Sequence, residues 1–482
     1  MLSVLLITIL PIIYLIHLIH KSFTDPLSSI PAAHILSPYT SKWITHHRTR
    51  TTEVKAIYTA HRTLGPIIRL SPTELSINSL EGLRAIYTQG AFEKHAFYAD
   101  TFMNFHTPNL VGMLENKPHG EQKRLLSGVY AKSYLLRSGD VGVLGREVVV
   151  RRLGEYLRGV VTNGVVNVLP VFQAVGMDFT SGFVFGMQGG TRFLQDLTSW
   201  GVWLGQYEAF KRMSREERFM GFVERWCLSL CEGVSSRESE PMTQAVVYDR
   251  LKEGLERKKM SGDVKLAVAS EVLDHLVAGH ETTGITITYI IWELSKRPEL
   301  QLRLREELAS LSGLRYTERR EEEVPPLADI DALPLLDAIV RETLRLHAPA
   351  PAPLPRVTPP EGTWIHGYYI PGGVQVSSSA YSLHRIEEVF PSPEEWIPSR
   401  WMDAGDRIHD MRRLFYPFGT GGRMCLGSNF ALLEIKLVIA MVYANYSPEV
   451  VDDEGIEQYL EFIALPKGRK LMVRFVPLES TD

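Results

Sequence analysis

The run Phe418-Gly419-Thr420-Gly421-Gly422-Arg423-Met424-Cys425-Leu426-Gly427 constrains this chain more than any other segment. It places one cysteine in a glycine-rich loop that opens directly into an apolar stretch of helix formers, Ser428 to Ala440. The glycines permit tight bends and let the backbone pass close to something flat. A cysteine just ahead of a helix N-terminus meets unpaired N–H groups and the positive end of the helix dipole, which favour its thiolate. Arg423 puts a fixed cation two residues from the sulfur, suited to a carboxylate. Phe418 offers an aromatic wall. Taken alone, the segment also reads as a glycine-rich loop around a buried structural cysteine.

Two distant segments decide between these readings. Ala278-Gly279-His280-Glu281-Thr282-Thr283 lies midway along a helical pattern of roughly 268–296. A glycine and two threonines are poor helix formers, and that local cost points to function. A threonine hydroxyl bonded to the carbonyl four residues back opens the helix ladder, and Glu281 beside it can relay protons. His280-Glu281 begins like the zinc pattern His-Glu-x-x-His, but position 284 is Gly, so that pattern fails. Glu342 and Arg345 share one face of a second helix with apolar surroundings, as a buried ion pair would.

Together these residues resemble the cytochrome P-450 family of thiolate-haem monooxygenases. The pattern Phe-x-x-Gly-x-Arg-x-Cys-x-Gly matches at 418–427, Ala-Gly-x-Glu-Thr at 278–282, and Glu-x-x-Arg at 342–345, completed by Arg400. The resemblance implies a mainly α fold with small β-sheets. It implies haem b, with Cys425 as axial ligand of the iron and Phe418, Gly421 and Gly427 shaping the loop. Arg423 and Arg356 would face haem propionates, as would His119 with either Lys123 or Arg124. Thr282 and Glu281 would deliver protons for O–O cleavage. One atom of O2 would enter a lipophilic small molecule. Electrons would come from NADPH through a separate reductase, because no flavin or nicotinamide domain is read here. By family position the pocket is expected from Phe97, Tyr98, Phe102, Met103 and Phe105, from 271–279 and 350–354, and from Phe462 to Ala464. Reductase docking is expected on Lys123, Lys132, Arg412, Arg413 and Lys436. The style of the chain is most like microsomal enzymes of filamentous fungi, often devoted to specialised metabolites. The alternatives are an O2-independent haem-thiolate isomerase or dehydratase, and a non-catalytic haem-binding protein.

The formal net charge of −4 gives no reason to invoke nucleic acid. Three cysteines exclude a disulfide framework; Cys227 and Cys231, four apart in an apolar stretch, read as helix packing. Leu2 to Ile19 is almost wholly apolar, long enough for a thin bilayer such as the endoplasmic reticulum, and Lys21 follows it. The positive-inside rule then places the body in the cytosol, as a single-pass protein of that membrane; the competing reading, a cleaved secretory signal, lacks a charged n-region and has too long an apolar core. The expected organisation is an anchor at 1–21, a proline-containing basic linker at 22–52, and the haem domain at 53–482. Within that domain, helices are expected near 144–158, 191–232, 263–296, 298–311 and 334–347. Strands are expected around 66–70, 74–77 and 363–376.

Overall fold

The computed structural model describes residues 24–235, 243–258, 262–311, 313–314, 324–403 and 405–478. The anchor expected at 1–21 lies outside them. Among the described residues the architecture is mainly helical, with three small sheets.

The helices that position the site are α1 (Lys42–Thr49), α2 (Glu53–Leu64), α3 (Asn116–Leu126), α4 (Val168–Phe185), α5 (Leu197–Phe210), α6 (Phe222–Ser235), α7 (Val264–Ser295), α8 (Pro334–Leu346) and α9 (Ser428–Asn445). α7 is capped by Asp263, whose carboxylate accepts from Lys265 N at 2.8 Å. At 32 residues it runs about 48 Å, far enough to cross the protein. α4 lies against it almost backbone to backbone. A Cβ on Gly176 of α4 would come 2.9 Å from His280 Cα. A Cβ on Gly279 would come 2.2 Å from Thr180 Oγ1, and one on Gly284 2.5 Å from Gln173 Cγ. Gly279 in mid-helix therefore has a steric reason of its own. The cost of a helical glycine is offset here by close packing, not only by function.

α4 and α9 are each long and apolar enough to cross a membrane, yet both are wrapped by protein. They belong to the main core, with α7 and α8. α4 was not expected from the sequence. Seventeen of its eighteen residues are buried, so it shows no polar face and no helical period to read. The run 191–232, expected as one helix, breaks between α5 and α6. Ser214 and Glu217 form a capping box that starts a separate turn.

The larger sheet has the order β1 (Ile67–Ser71), β2 (Glu74–Ile77), β8 (Gln375–Ser377), β5 (Arg356–Val357), β3 (Glu93–Lys94). β2 and β8 pair in parallel; the other neighbours are antiparallel. β4 (Val165–Asn167), β10 (Met472–Pro477) and β9 (Tyr446–Asp452) make a second sheet. β6 (Thr363–Ile365) and β7 (Tyr368–Ile370) form a hairpin that turns on His366 and Gly367, both at positive φ.

The stretch expected as a linker is, from Thr24 onward, folded onto this sheet. Leu27, Ile30 and Ile44 are buried. Asp25 pairs with the buried Arg69 at 2.5 Å, and Ala33 N donates to Arg69 O at 2.9 Å. Arg48, one of the basic residues that suggested a membrane-facing segment, is bound by Glu53 and Glu74. Scattered apolar residues between prolines gave no period, although each finds a place in the core.

Candidate active site

The cysteine loop is held by its own backbone. Cys425 N donates to Phe418 O at 2.9 Å, and Met424 N to Gly421 O at 3.1 Å. Gly419 and Gly421 sit at φ +66° and +70°. A Cβ on Gly421 would lie 1.9 Å from Tyr87 O, so this close approach requires glycine. Phe418 packs, half-buried, against the main core. Gly427 caps α9 at φ −81°, and a Cβ there would meet no protein atom. The Cys425 side chain is enclosed by protein yet keeps accessible surface, so it borders an interior space. Burial pushes its thiol up; the Gly427 N–H and the Lys123 ammonium pull it down.

α7 presents a stripe to the interior. Asp274, Ala278 and Thr282, each four residues apart on one face, keep accessible surface, whereas Leu273, Leu276, His280, Glu281 and Thr283 are buried. Asp274 is close enough to Cys425 to push the thiol up. Thr282 Oγ1 donates to Ala278 O at 2.8 Å, the back-bond expected from the sequence. Glu281 does not share that face. It turns toward α5, where its carboxylate accepts from Lys211 Nζ at 2.8 Å and from Tyr207 OH at 3.2 Å. Adjacent residues on a helix point about 100° apart, so Glu281 and Thr282 serve different neighbours.

Cations gather at the edge of the same region. Lys94 and Arg356 are direct cross-strand partners in β3 and β5. Both are buried. Like charges set opposite one another are unfavourable. Arg356 Nη1 donates to Tyr98 OH at 3.0 Å, and Lys94 Nζ to Val111 O at 2.8 Å. Arg423 is spread over the loop before α3, donating to Met113 O, Leu114 O and Asn116 Oδ1 at 2.9, 2.7 and 3.1 Å. Burial and Arg356 bring its guanidinium down to about 10. His119 of α3 is buried beside them. Burial first, then Arg423, Lys94, Lys123 and Arg356, pushes its imidazole down to about 3. None of these four has a carboxylate partner among the described residues. Lys123 instead reaches the cysteine loop, donating to Gly422 O at 3.0 Å and Met424 O at 2.7 Å. Arg124 is exposed and makes no hydrogen bond or ion pair among the described residues.

A family model for cytochrome P450 matches residues 233–473, half of the chain. The chain belongs to the cytochrome P450 family. Cytochrome P450 monooxygenase orf2 of Aspergillus niger is 28% identical, covering 95% of this chain and 94% of that protein. Cytochrome P450 monooxygenase FGM1 of Gibberella zeae is 26% identical, covering 86% of each. Cytochrome P450 monooxygenase avaI of Aspergillus versicolor is 29% identical, covering 79% of this chain and 95% of that protein. The protein is a cytochrome P450 monooxygenase, and the P450 cofactor is haem with its iron on a cysteine thiolate.

The residues present fit that cofactor. Lys94, Arg356 and Arg423 repel one another in a buried place where none of them forms an ion pair among the described residues, a donor set complementary to two propionates. Cys425 is the cysteine that borders the interior; Cys227 and Cys231 are buried in α6, with Cys227 Sγ against Ala269 O of α7. Lys94 was missed by sequence reading. No strand is expected from the sequence at 93–94, and the register that sets Lys94 opposite Arg356 joins residues more than 250 apart.

The P450 ion-pair network lies behind the loop. Arg345 Nε and Nη2 donate to Glu342 at 2.9 and 2.8 Å, both side chains wholly buried. Arg400 Nε and Trp401 Nε1 also donate to Glu342, each at 2.9 Å. The link to the loop runs through His384. Its Nδ1 bonds Arg345 O at 2.9 Å, and its Nε2 accepts from Tyr416 N at 2.8 Å, two residues before Phe418. Of the cations expected to receive a reductase, Lys132, Arg412 and Arg413 are exposed. Lys436 is not: it is buried, donating to Asp331 at 2.9 Å and Asp337 at 2.8 Å.

Burial holds His61 and His280 down at about 4 and His384 at about 3. Unfolding returns each to its ordinary value near 6.5. Below that value each of these histidines is protonated in the unfolded chain and neutral in the folded one, so the stability they contribute falls as pH drops from about 6.5 toward 4. Each histidine contributes up to about 1.4 kcal/mol per pH unit in that window. Thermal unfolding at pH 7 and at pH 5 checks this; an unchanged Tm would contradict it.

Among the expected pocket residues, Phe97, Phe102 and Phe462 form one cluster, with centroids 5.1 to 5.9 Å apart. Tyr98 sits between this cluster and Arg356. Phe105 is instead buried in the main core, its N–H bonded to Glu224 at 2.6 Å.

Proposed function

We propose that this P450 inserts one atom of O2 into a lipophilic small molecule in specialised-metabolite biosynthesis. Residues 1–21 anchor it in the endoplasmic reticulum membrane with the catalytic domain in the cytosol, and NADPH electrons arrive through a separate reductase. The observation that carries the reading is Cys425, accessible in its loop, with Asp274 of the helix face that also holds Thr282 close enough to act on its thiol.

When bound, the thiolate-ligated haem supplies dioxygen activation. Cys425 would hold the iron, and Lys123 fixes the loop by bonding two of its carbonyls. Arg356, Arg423, Lys94 and His119 would hold the propionates. Thr282 Oγ presents a hydroxyl on the interior face and passes protons there. Glu281, on the far side of α7, is the acid from which those protons come, with Lys211 and Tyr207 setting its position. The aromatic cluster of Phe97, Phe102 and Phe462 suits a lipophilic substrate and excludes water from it.

The reduced protein with carbon monoxide is expected to show the Soret shift of a thiolate-bound haem; an unshifted band would sink the assignment. Thr282→Ala is expected to keep that band while product formed per NADPH consumed falls about a hundredfold, in the range of a positioned proton donor. Docking of the reductase through Lys132, Arg412 and Arg413 makes turnover fall as ionic strength rises. Turnover indifferent to salt would count against it.

A further inference from the structure

A column of aromatic rings stands against the side of α7 that carries Glu281. Trp200, Trp203 and Tyr207 lie three and four residues apart on α5, so their rings share one face. Trp200 stacks on Trp203 with centroids 5.3 Å apart and planes 9° from parallel, and Trp203 on Tyr207 at 5.2 Å and 16°. Trp226 of α6 joins them, 5.1 Å from Trp203. Burial of apolar volume explains rings here, but not the order of ring types or their differing ends. At the inner end Tyr207 donates its hydroxyl to the Glu281 carboxylate at 3.2 Å, on the residue next to Thr282. At the outer end Trp226 is half-buried, flanked on α6 by the exposed Arg225 and Ser229. Between them Trp203 is buried, and its Nε1 has no hydrogen-bond partner among the described residues.

Tryptophan and tyrosine are among the side chains most easily oxidised by one electron, and rings in contact exchange electrons readily. We propose that Tyr207, Trp203 and Trp226 form an electron-transfer chain by which a small one-electron reductant in solution discharges the haem site after dioxygen or peroxide has oxidised it with no substrate present. Tyr207 gives that site one electron, and its phenolic proton moves to Glu281, leaving a neutral tyrosyl radical. The Lys211 ammonium, 4.8 Å from the Tyr207 ring centroid, disfavours a cation there, so electron and proton leave together. Trp203 then returns an electron to Tyr207, which takes its proton back from Glu281. The Trp203 N–H has no acceptor, so the resulting cation keeps its proton and takes an electron from Trp226. Trp226 releases its indole proton to water, which draws the vacancy outward. The reductant supplies the missing electron, and water returns the proton. The proposal rests on the monooxygenase reading above and adds a protective one-electron activity to it.

The test uses the haem-loaded full chain, oxidised with hydrogen peroxide in the absence of substrate. Rapid-freeze electron paramagnetic resonance reads the protein radical, mass spectrometry of peptides reads oxidised indole, and the Soret band reads haem bleaching. Wild type is expected to show a tryptophan or tyrosine radical, and oxidised indole is expected at Trp226 before Trp364. Trp364 is 69% exposed and is the tryptophan that a freely diffusing oxidant would meet first. Ascorbate is expected to suppress the Trp226 product and to slow bleaching. Trp203→Phe keeps an aromatic ring that is much harder to oxidise, and is expected to lose both the Trp226 product and the protection by ascorbate. Trp226→Phe, at the half-buried end, is expected to keep a radical and lose the protection; it decides alone if Trp203→Phe takes up no haem. Oxidation at Trp364 first, or ascorbate protection that survives these substitutions, overturns the proposal. The carbon-monoxide spectrum reports the haem site separately. Absence of the thiolate-type band in wild type refutes the monooxygenase reading; its presence without a Trp226 product refutes only the electron-transfer chain.

Discussion

Glu342→Ala is expected to cost about 3–5 kcal/mol of stability, the range for removing one partner of a buried charge pair. Against the roughly 5–15 kcal/mol that holds an ordinary domain together, this leaves little. The reason is the number of donors that converge on one carboxylate: Arg345, Arg400, Trp401 Nε1 and the backbone N–H of Ile397. Arg345 has no access to water and would keep only the carbonyls of His384, Pro393 and Glu395. The loss also passes through His384 to Tyr416, and so to the cysteine loop. Denaturant unfolding and haem content measure both effects. Glu342→Gln keeps the shape and one acceptor, and should fall between wild type and Ala. A wild-type midpoint for Glu342→Ala would show that the network does not hold the fold.

Gly421→Ala is expected to act locally and almost as severely. At φ +70° an alanine costs about 1–2 kcal/mol. Its Cβ would also meet Tyr87 O at 1.9 Å, a backbone atom that cannot swing aside. Tyr87 is itself fixed, its hydroxyl donating to Leu354 O at 2.6 Å and accepting from Ser378 N at 2.8 Å. The loop must therefore move, at a combined cost of about 3 kcal/mol or more, and Cys425 moves with it. The expected result is a folded protein that loses most of the thiolate-type Soret band. Gly422→Ala is the control, because a Cβ there meets no atom. Equal spectra for the two variants would refute the steric argument.

The two substitutions differ in how far the sequence alone could have foretold them. The Glu342–Arg345 pair was legible because two residues three apart on a helix share a face whatever the tertiary fold. The glycines of the loop were legible as bends. That Gly421 in particular lies against Tyr87, and that Gly279 lies against Thr180, was not, since both neighbours come from distant parts of the chain. In the sequence Gly279 reads as a sign of function, yet the close approach of α4 also requires it. α4 itself was invisible, because a helix buried on every side has no polar face to reveal its period.

What the sequence by itself determined is local in reach: the cysteine loop opening into α9, the Thr282 back-bond, the Glu342–Arg345 pair, and through their combined spacing the family. Each depends on residues within about four positions, where helix and turn geometry fix the relation. What only the tertiary structure decided is the partner of each side chain across elements. It turned Glu281 toward Lys211, buried Lys436 between two aspartates, set Lys94 opposite Arg356, and left Asp274 facing the interior alone. Which face of a helix meets which neighbour depends on packing between segments hundreds of residues apart, and no spacing rule along the chain contains it.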